Sequence, residues 1–485
     1  MALRRRIRVT LAAVATLTVV APLGWMWQSS LLPDSYDLAA MGYADWGGGP
    51  RPESGHDHGS GEGEGPGEVA VADLVADPAL TADVTAELVV RDEGDRVTVN
   101  GSTPGPLLRA TEGDLVEVTL VNEDVADGAT LHWHGVDVPN AADGVAGVTQ
   151  DAVMPGEEFV YRFVAEQVGT YWYHSHQVSH EQVQQGLFGG LVVDPADPEP
   201  VDVDEVALVH RYGGAGTLNG AEGTTAIEAE PGDDVRLRVV NTDNGVATVW
   251  PAGVPFRVLA VDGTEVNGPD EVTGEAVAVP AGGRVDLGFT VPEEGVRVDF
   301  SGGTSLTVGS DPTGRRTPAP STVVDLLHYG APADPPFAVD DPDRRFDYVI
   351  DRRPGFLDGR PGMWWTVNGG LYPDVPMYMV EEGDVVVFEI DNRSSDAHPM
   401  HLHGHHGLVL SRDGEPATGS PWWVDSLEVG VGETYEVAVL ADNPGVWMDH
   451  CHNLPHATEG LVAHLMYAGV RSSFRVGGDH GNHPE

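Results

Sequence analysis

Lysine is absent from this chain of 485 residues, and cysteine occurs once. Without lysine, all 26 basic residues are arginine; they stand against 76 Asp and Glu, for a formal charge of −50. A surface of that sign repels nucleic acid and anionic lipid and attracts cations, so no nucleic-acid partner is expected. It also keeps a protein soluble in a salty habitat, and the two readings are compatible. One cysteine excludes an intrachain disulfide. Long apolar runs are missing apart from a single one near the start. What is plentiful is Gly, at 62, and Pro, at 36, which suits a turn-rich β protein better than a helical one. The length suggests about three domains.

Residues 1–33 read as an export element. Arg4, Arg5, Arg6 and Arg8 flank the apolar run Val9 to Trp27, which is long enough to span a bilayer. The basic flank stays cytoplasmic and sends the remainder outside. No Ala-x-Ala site follows the run, so an uncleaved membrane anchor is favoured over a removed signal peptide. Either way the protein is expected to be extracytoplasmic, membrane-anchored or secreted. Residues 34–69 read as a low-complexity linker, because Gly47 to Glu68 is too polar to fold. His56 and His58 within it are expected to be solvated.

An internal repeat organises the rest. The pattern Asn-Gly, then Gly-Asp, then a strand ending in Asn occurs as Asn100…Gly113-Asp114…Asn122, as Asn219…Gly232-Asp233…Asn241 and as Asn368…Gly383-Asp384…Asn392. A second pattern follows each copy: Gly156, Gly169, His174; Gly282, Gly295, Phe300; Gly432, Gly445, His450. The intervening strands alternate or run apolar, which is β patterning. Three Greek-key sandwiches in tandem are expected, at 70–196, 197–332 and 340–475, with a tail at 476–485.

The repeat carries its own control. At the last strand the copies read His174-Ser175-His176, Phe300-Ser301-Gly302 and His450-Cys451-His452. The histidines are therefore not required by the fold, and copy two has none there. Two further pairs, His132-Trp133-His134 and His401-Leu402-His403, share the His-x-His spacing. In a strand, residues i and i+2 share one face, so each pair aims two imidazoles the same way. In His450-Cys451-His452 the thiol then points opposite to the rings. A thiolate with two imidazoles is the ligand set of a blue copper site, and eight paired histidines suffice for a three-copper cluster. The backbone between them is a short covalent path for an electron.

The strings LHWHG, YHSH, HPMHLHGH and HCHNLPH resemble, in order, the four copper motifs of the multicopper oxidases, the laccase group, over roughly residues 75–475. The resemblance implies an all-β fold of three tandem cupredoxin-like Greek-key β-sandwich domains, the middle one without copper. It implies four copper ions and no other cofactor: type 1 at His398, Cys451 and His456; type 2 at His132 and His401; a type 3 pair at His134, His174, His176, His403, His450 and His452. Leu461 occupies the axial position where low-potential members carry Met, so a higher-potential, non-coordinated site is expected. Asp143 resembles the family's acidic residue near the cluster, a proton carrier. The second such residue is in doubt, since Ala457 stands where some bacterial relatives carry Glu, and no role is supported for nearby Glu459. Asp425-Ser426 resembles an Asp-Thr feature read as structural. Met466 is read as core, and His405, His406, His180, His210 and His464 as structural or surface residues.

The implied reaction is one-electron oxidation of a small-molecule reductant coupled to reduction of O2 to water, with Cys451, His450, His452 and Asp143 as catalytic residues. Phenols or aromatic amines are the expected reductants. The alternative is a metallo-oxidase for Cu(I), Fe(II) or Mn(II), which the acidic surface favours; only ten Met, with no Met-rich insert, argue against a cuprous oxidase. A copper nitrite reductase and a non-catalytic copper carrier fit less well. Three domains in one chain can close the cluster without a partner, so a monomer is expected.

Overall fold

The computed structural model describes residues 2–38, 41–50, 69–309 and 317–485. Strands dominate, and three pairs of sheets follow one another along the chain. The first pair, two four-stranded sheets, spans Val84 to Asp194. The second, of seven and five strands, spans Val203 to Val308. The third, of eight and six strands, is built chiefly from Arg344 to Tyr467. Each pair closes on its own apolar core, around Trp133, Tyr161 and Phe163, around Val239, Leu287 and Phe300, and around Phe346, Trp365 and Trp447. Removing such rings from water supplies the main driving force of each unit.

The repeated asparagines and glycines have a common physical cause. Asn100, Asn219 and Asn368 all adopt positive φ, near 50°. Each side chain then bonds one neighbouring strand twice. Its Oδ1 accepts from the backbone N–H of Val89, Leu208 or Val349, and its Nδ2 donates to the carbonyl of Glu87, Val206 or Asp347. Asn tolerates this left-handed backbone better than a bulkier residue would. Asn122, Asn241 and Asn392 are fully buried and donate to the carbonyls of Val153, Val279 and Val429. Their own carbonyls accept from Gly156, Gly282 and Gly432 N–H. The sequence repeat is thus a repeat of corner chemistry.

The same registry explains where the histidines fall. His132 pairs with His174 and His401 pairs with His450 across neighbouring strands. The matching pair in the second unit is Val249 with Phe300, both fully buried. That unit put carbon into its core where the outer two aim imidazoles at one another.

The start of the chain forms one helix, Ala2–Ser29, long and apolar enough to cross a membrane by length and composition, and its apolar stretch is not buried against the rest of the protein. The stretch 34–69, read as a linker, is tied to the body at both ends. Ser35–Tyr36 pairs with Val476–Gly477, Tyr43–Asp45 joins the six-stranded sheet beside Pro376–Val380, and Val69–Ala70 pairs with Val470–Arg471. The apolar groups Tyr36, Leu38, Ala44 and Trp46 pack on the third core. Their contribution was hidden by the polar composition of Gly47 to Glu68. Of that segment, residues 51–68, with His56 and His58, lie outside the described residues. The 476–485 segment is also no free tail: Asn482 Oδ1 accepts from Ala152 N–H, and His483 N–H donates to Gln177.

Candidate metal centres

Cys451 ends the strand Val446–Cys451, and His456 lies on the short helix Leu454–Thr458 that follows. His398 opens the strand His398–Leu402. Cys451 Sγ stands 3.6 Å from His398 Nδ1 and 3.7 Å from His456 Nδ1, and those nitrogens are 3.2 Å apart. The outer edge of each ring is held elsewhere, His398 Nε2 by Ser394 Oγ at 2.9 Å and His456 Nε2 by Asn453 Nδ2 at 3.2 Å. Trp365 lies against both rings, with centroids 4.5 and 4.6 Å away. Leu461 is fully buried in the same core and its carbonyl accepts from Cys451 N–H.

Behind this trio lies a nest of eight imidazoles. His132 and His134 sit on one strand, His174 ends another, and His176 follows it. His401 and His450 come from paired strands of the third unit, with His403 and His452 just beyond. His132 Nε2 is 3.3 Å from His401 Nε2, and His450 Nε2 is 3.4 and 3.2 Å from His176 and His403 Nε2. His134 stacks on His401 and His132 on His403. Three sets of three convergent nitrogens result: His132, His134 and His174; His132, His401 and His403; His176, His403 and His450. His452 belongs to none of these sets; its ring lies 4.8 Å from His134 and 5.3 Å from His174.

Carboxylates hold the nest from outside. Asp143 Oδ1 is 3.1 Å from Nδ1 of both His132 and His403, bridging the first and third units. Asp425 Oδ1 is 3.1 Å from His134 Nε2, and its backbone carbonyl is 2.7 Å from His401 Nδ1. The second unit contributes here as well. Arg284 Nη1 donates to Asp425 Oδ1 at 2.5 Å, and Asp262 accepts from the backbone of Asp425 and Ser426. Gly282 is required by close approach: at φ +81, a Cβ there would fall 2.7 Å from His134.

The donor chemistry fits copper. Burial, followed by the neighbouring rings, lowers the pKa of His134, His174, His176, His401, His403 and His450, and brings His452 to about 3. These rings are neutral and offer lone pairs. His174 Nε2, His134 Nδ1 and both His452 nitrogens are buried without a protein partner, an arrangement a bound metal satisfies. Burial pushes the Cys451 thiol well up, so a thiolate there calls for a cation. Two imidazoles with one thiolate, as at His398, His456 and Cys451, is the donor set of a blue copper site.

Among the residues set aside from the sequence, His405 is buried against Tyr467 and His210 against Thr242. His464 and Met466 lie in the third unit's interior, and His180 is partly exposed beside Glu181. His406 lies 3.7 Å from Asp425 and 3.4 Å from Asp137, closer to the nest than a surface role implies. Glu459 pairs with Arg352. Sequence reasoning missed Trp365, Arg284, and Glu485, whose Oε1 is 3.1 Å from His450 Nδ1. Nothing in their neighbouring residues signals these contacts, since each partner is remote in sequence.

Two family models described as multicopper oxidase match residues 83–198 and 350–469, the stretches that carry the histidine pairs. Multicopper oxidase MmcO of Mycobacterium tuberculosis is 28% identical over 80% of this chain and 87% of its own. Laccase-1 of Botryotinia fuckeliana is 28% identical over 75% and 77%, and the iron transport multicopper oxidase fetC of Epichloe festucae 25% over 79% and 75%. A multicopper oxidase crystal structure from Pseudomonas thermotolerans superposes with a TM-score of 0.65 at 28% identity, covering 80% of this chain and all of that one. With the donor sets above, these matches define a copper-dependent oxidoreductase that uses O2, built from cupredoxin-like domains. The chain belongs to the multicopper oxidase family, and its cofactor is copper at type 1, type 2 and type 3 sites.

Proposed function

We propose that the protein is a laccase-like oxidase held outside the cell by its N-terminal helix, in which phenols or aromatic amines give up single electrons beside His398 and His456. In this reading His398, Cys451 and His456 hold type 1 copper, and His132 and His401 hold type 2. His134, His174, His176, His403, His450 and His452 hold the type 3 pair. Bound copper supplies the one-electron couples and the oxygen chemistry. The chain does the rest. Ser394 and Asn453 fix the two imidazoles so that their Nδ1 atoms face Cys451. The backbone of His450-Cys451-His452 joins the two donor sets covalently. Asp143 holds two rings in place and keeps a carboxyl, its pKa raised by burial, at the nest for proton delivery.

The observation that carries the reading is the setting of His456. It alone among the donors is not fully buried. It rests on the indole of Trp365, and the nearby carboxylate of Glu459 is neutralised by Arg352 at 3.0 Å. A neutral aromatic reductant meets the exposed part of the His456 ring there with Glu459 already paired. Cu(I), Fe(II) or Mn(II) as reductant is the second reading, favoured by the −50 charge and by Asp396, whose carboxylate acts on both His398 and His456. Oxygen uptake by copper-loaded protein over a panel of phenols, aromatic amines and these metal ions decides between them. Turnover with metal ions alone overturns the first reading.

A further inference from the structure

The helix Ala2–Ser29 has arginines at one end and two exposed tryptophans, Trp25 and Trp27, at the other. Tryptophan prefers the membrane–water interface. Directly beyond this end the chain meets the third unit. Gly359 N–H donates to Ser30 Oγ at 3.1 Å, and Leu32 N–H to Asp358 Oδ1 at 3.3 Å. Gly359, at φ +71, sits so close that a Cβ would lie 2.9 Å from Leu31 and 3.0 Å from Trp27. Asp358 and Gly359 form the tip of the hairpin made by Arg344–Leu357 and Arg360–Val367. The second arm of that hairpin carries Trp365 to His398 and His456.

Between the helix end, the hairpin and the short helix bearing His456 lies a cavity of ≈ 730 Å³. Its walls include Leu32 and Pro33 from the helix exit, Leu357 and Trp364 from the hairpin, and Ala457, which follows His456. Tyr36 and Tyr372 also line it, their hydroxyls bonded to each other at 2.8 Å. The volume is that of a small-molecule site, and its lining is mixed: Leu32, Leu357 and Trp364 stand beside Arg360, Glu459 and the tyrosine pair. One end meets the membrane exit; another wall is covalently next to His456.

We propose that this cavity receives an amphipathic aromatic reductant, a phenol or hydroquinone bearing an alkyl chain, directly from the bilayer. The alkyl chain lies toward Leu32 and Leu357, and the hydroxyls meet the Tyr36–Tyr372 pair. Two hydroquinones each lose two electrons and two protons and become quinones; one O2 takes up all four of each and becomes two waters. This rests on the phenol reading above and names the source of the phenol.

The test uses the full chain, copper-loaded, in phosphatidylcholine nanodiscs, with decylhydroquinone and with 2,6-dimethoxyphenol as a water-soluble comparison. Adding empty vesicles at fixed total reductant dilutes decylhydroquinone within the lipid. Its oxidation is expected to slow in proportion to its lipid mole fraction, while dimethoxyphenol oxidation does not respond. Binding of decylhydroquinone to copper-free nanodisc protein is expected to weaken at least tenfold in Leu32→Trp, which fills the cavity, and to weaken in Trp364→Ala, which strips a wall without adding bulk. If decylhydroquinone oxidation follows its bulk concentration, or both variants bind it as the parent does, the cavity proposal is overturned while dimethoxyphenol turnover leaves the laccase reading standing. Should neither phenol be oxidised while Fe(II) drives oxygen uptake, both fall.

Discussion

Glu485 holds a carboxylate oxygen 3.1 Å from Nδ1 of His450, on the far side of the ring from the nest. Its other oxygen accepts from Ser179 Oγ, and the preceding Pro484 carbonyl lies 2.9 Å from His176 Nδ1. One segment thus reaches imidazoles of two units: the Pro484 carbonyl is hydrogen-bonded to His176, and the Glu485 carboxylate lies close to His450 Nδ1 without an aligned hydrogen bond. Groups that hold the second nitrogen of a ligating histidine fix its tautomer and raise its basicity. Burial pushes the Glu485 carboxyl up to about 8.

Glu485→Ala is accordingly expected to weaken copper retention roughly 10- to 100-fold, and Glu485→Gln, which keeps the shape, to weaken it less. Copper per chain after dialysis against a graded chelator series measures both. Equal retention in parent and alanine variant refutes this orienting role.

Cys451→Ser is expected to abolish the blue colour and most turnover while leaving a folded protein, because the thiol belongs to one wall of the core and is replaced by a group of similar size. His174→Ala or His176→Ala should keep the blue colour and stop oxygen reduction. Visible absorption and an oxygen electrode, read side by side on the three variants, separate the two donor sets. Full turnover in Cys451→Ser contradicts the covalent link between them.

The motifs were legible because strand alternation acts locally: once His132, His174, His401 and His450 lie in strands, their faces follow. The corner asparagines were legible as a repeat for the same reason, since Asn100, Asn219 and Asn368 each bond only a nearby strand. What composition concealed was the docking of Tyr36 and Trp46 on the third core, a long-range contact next to a polar stretch. The supporting shell was equally hidden. Arg284 reaches Asp425 across 141 positions and Glu485 reaches His450 across 35, and pairings of that kind leave no periodic trace.

Leu461→Met tests the axial position. Leu461 is buried beside Cys451, and its side chain has no polar atom to offer. A thioether there donates electron density to copper, stabilises the oxidised form and lowers the potential. Redox titration of the blue band is expected to show a lower midpoint in the variant, together with slower oxidation of reductants that are hard to oxidise. An unchanged midpoint places the side chain outside the copper's reach.

His406 gives the fold a pH dependence of its own. Burial works against its charge, but Asp137 and then Asp425 hold the imidazolium, so its pKa rises to about 9 from an ordinary 6.5. A group with a raised folded pKa contributes its stability in full below the unfolded value and loses it as pH climbs through the folded one. The window is therefore pH 6.5 to 9, and the shift corresponds to about 3 kcal/mol. Asp449 and Glu428, whose carboxyls burial raises to about 7, titrate in the same range, so the difference between proteins carries the information. Denaturant midpoints of the copper-loaded parent and of His406→Ala should lie far apart at pH 6 and converge by pH 9.5. Parallel curves across that span mean that His406 stays neutral beside Asp137 and Asp425.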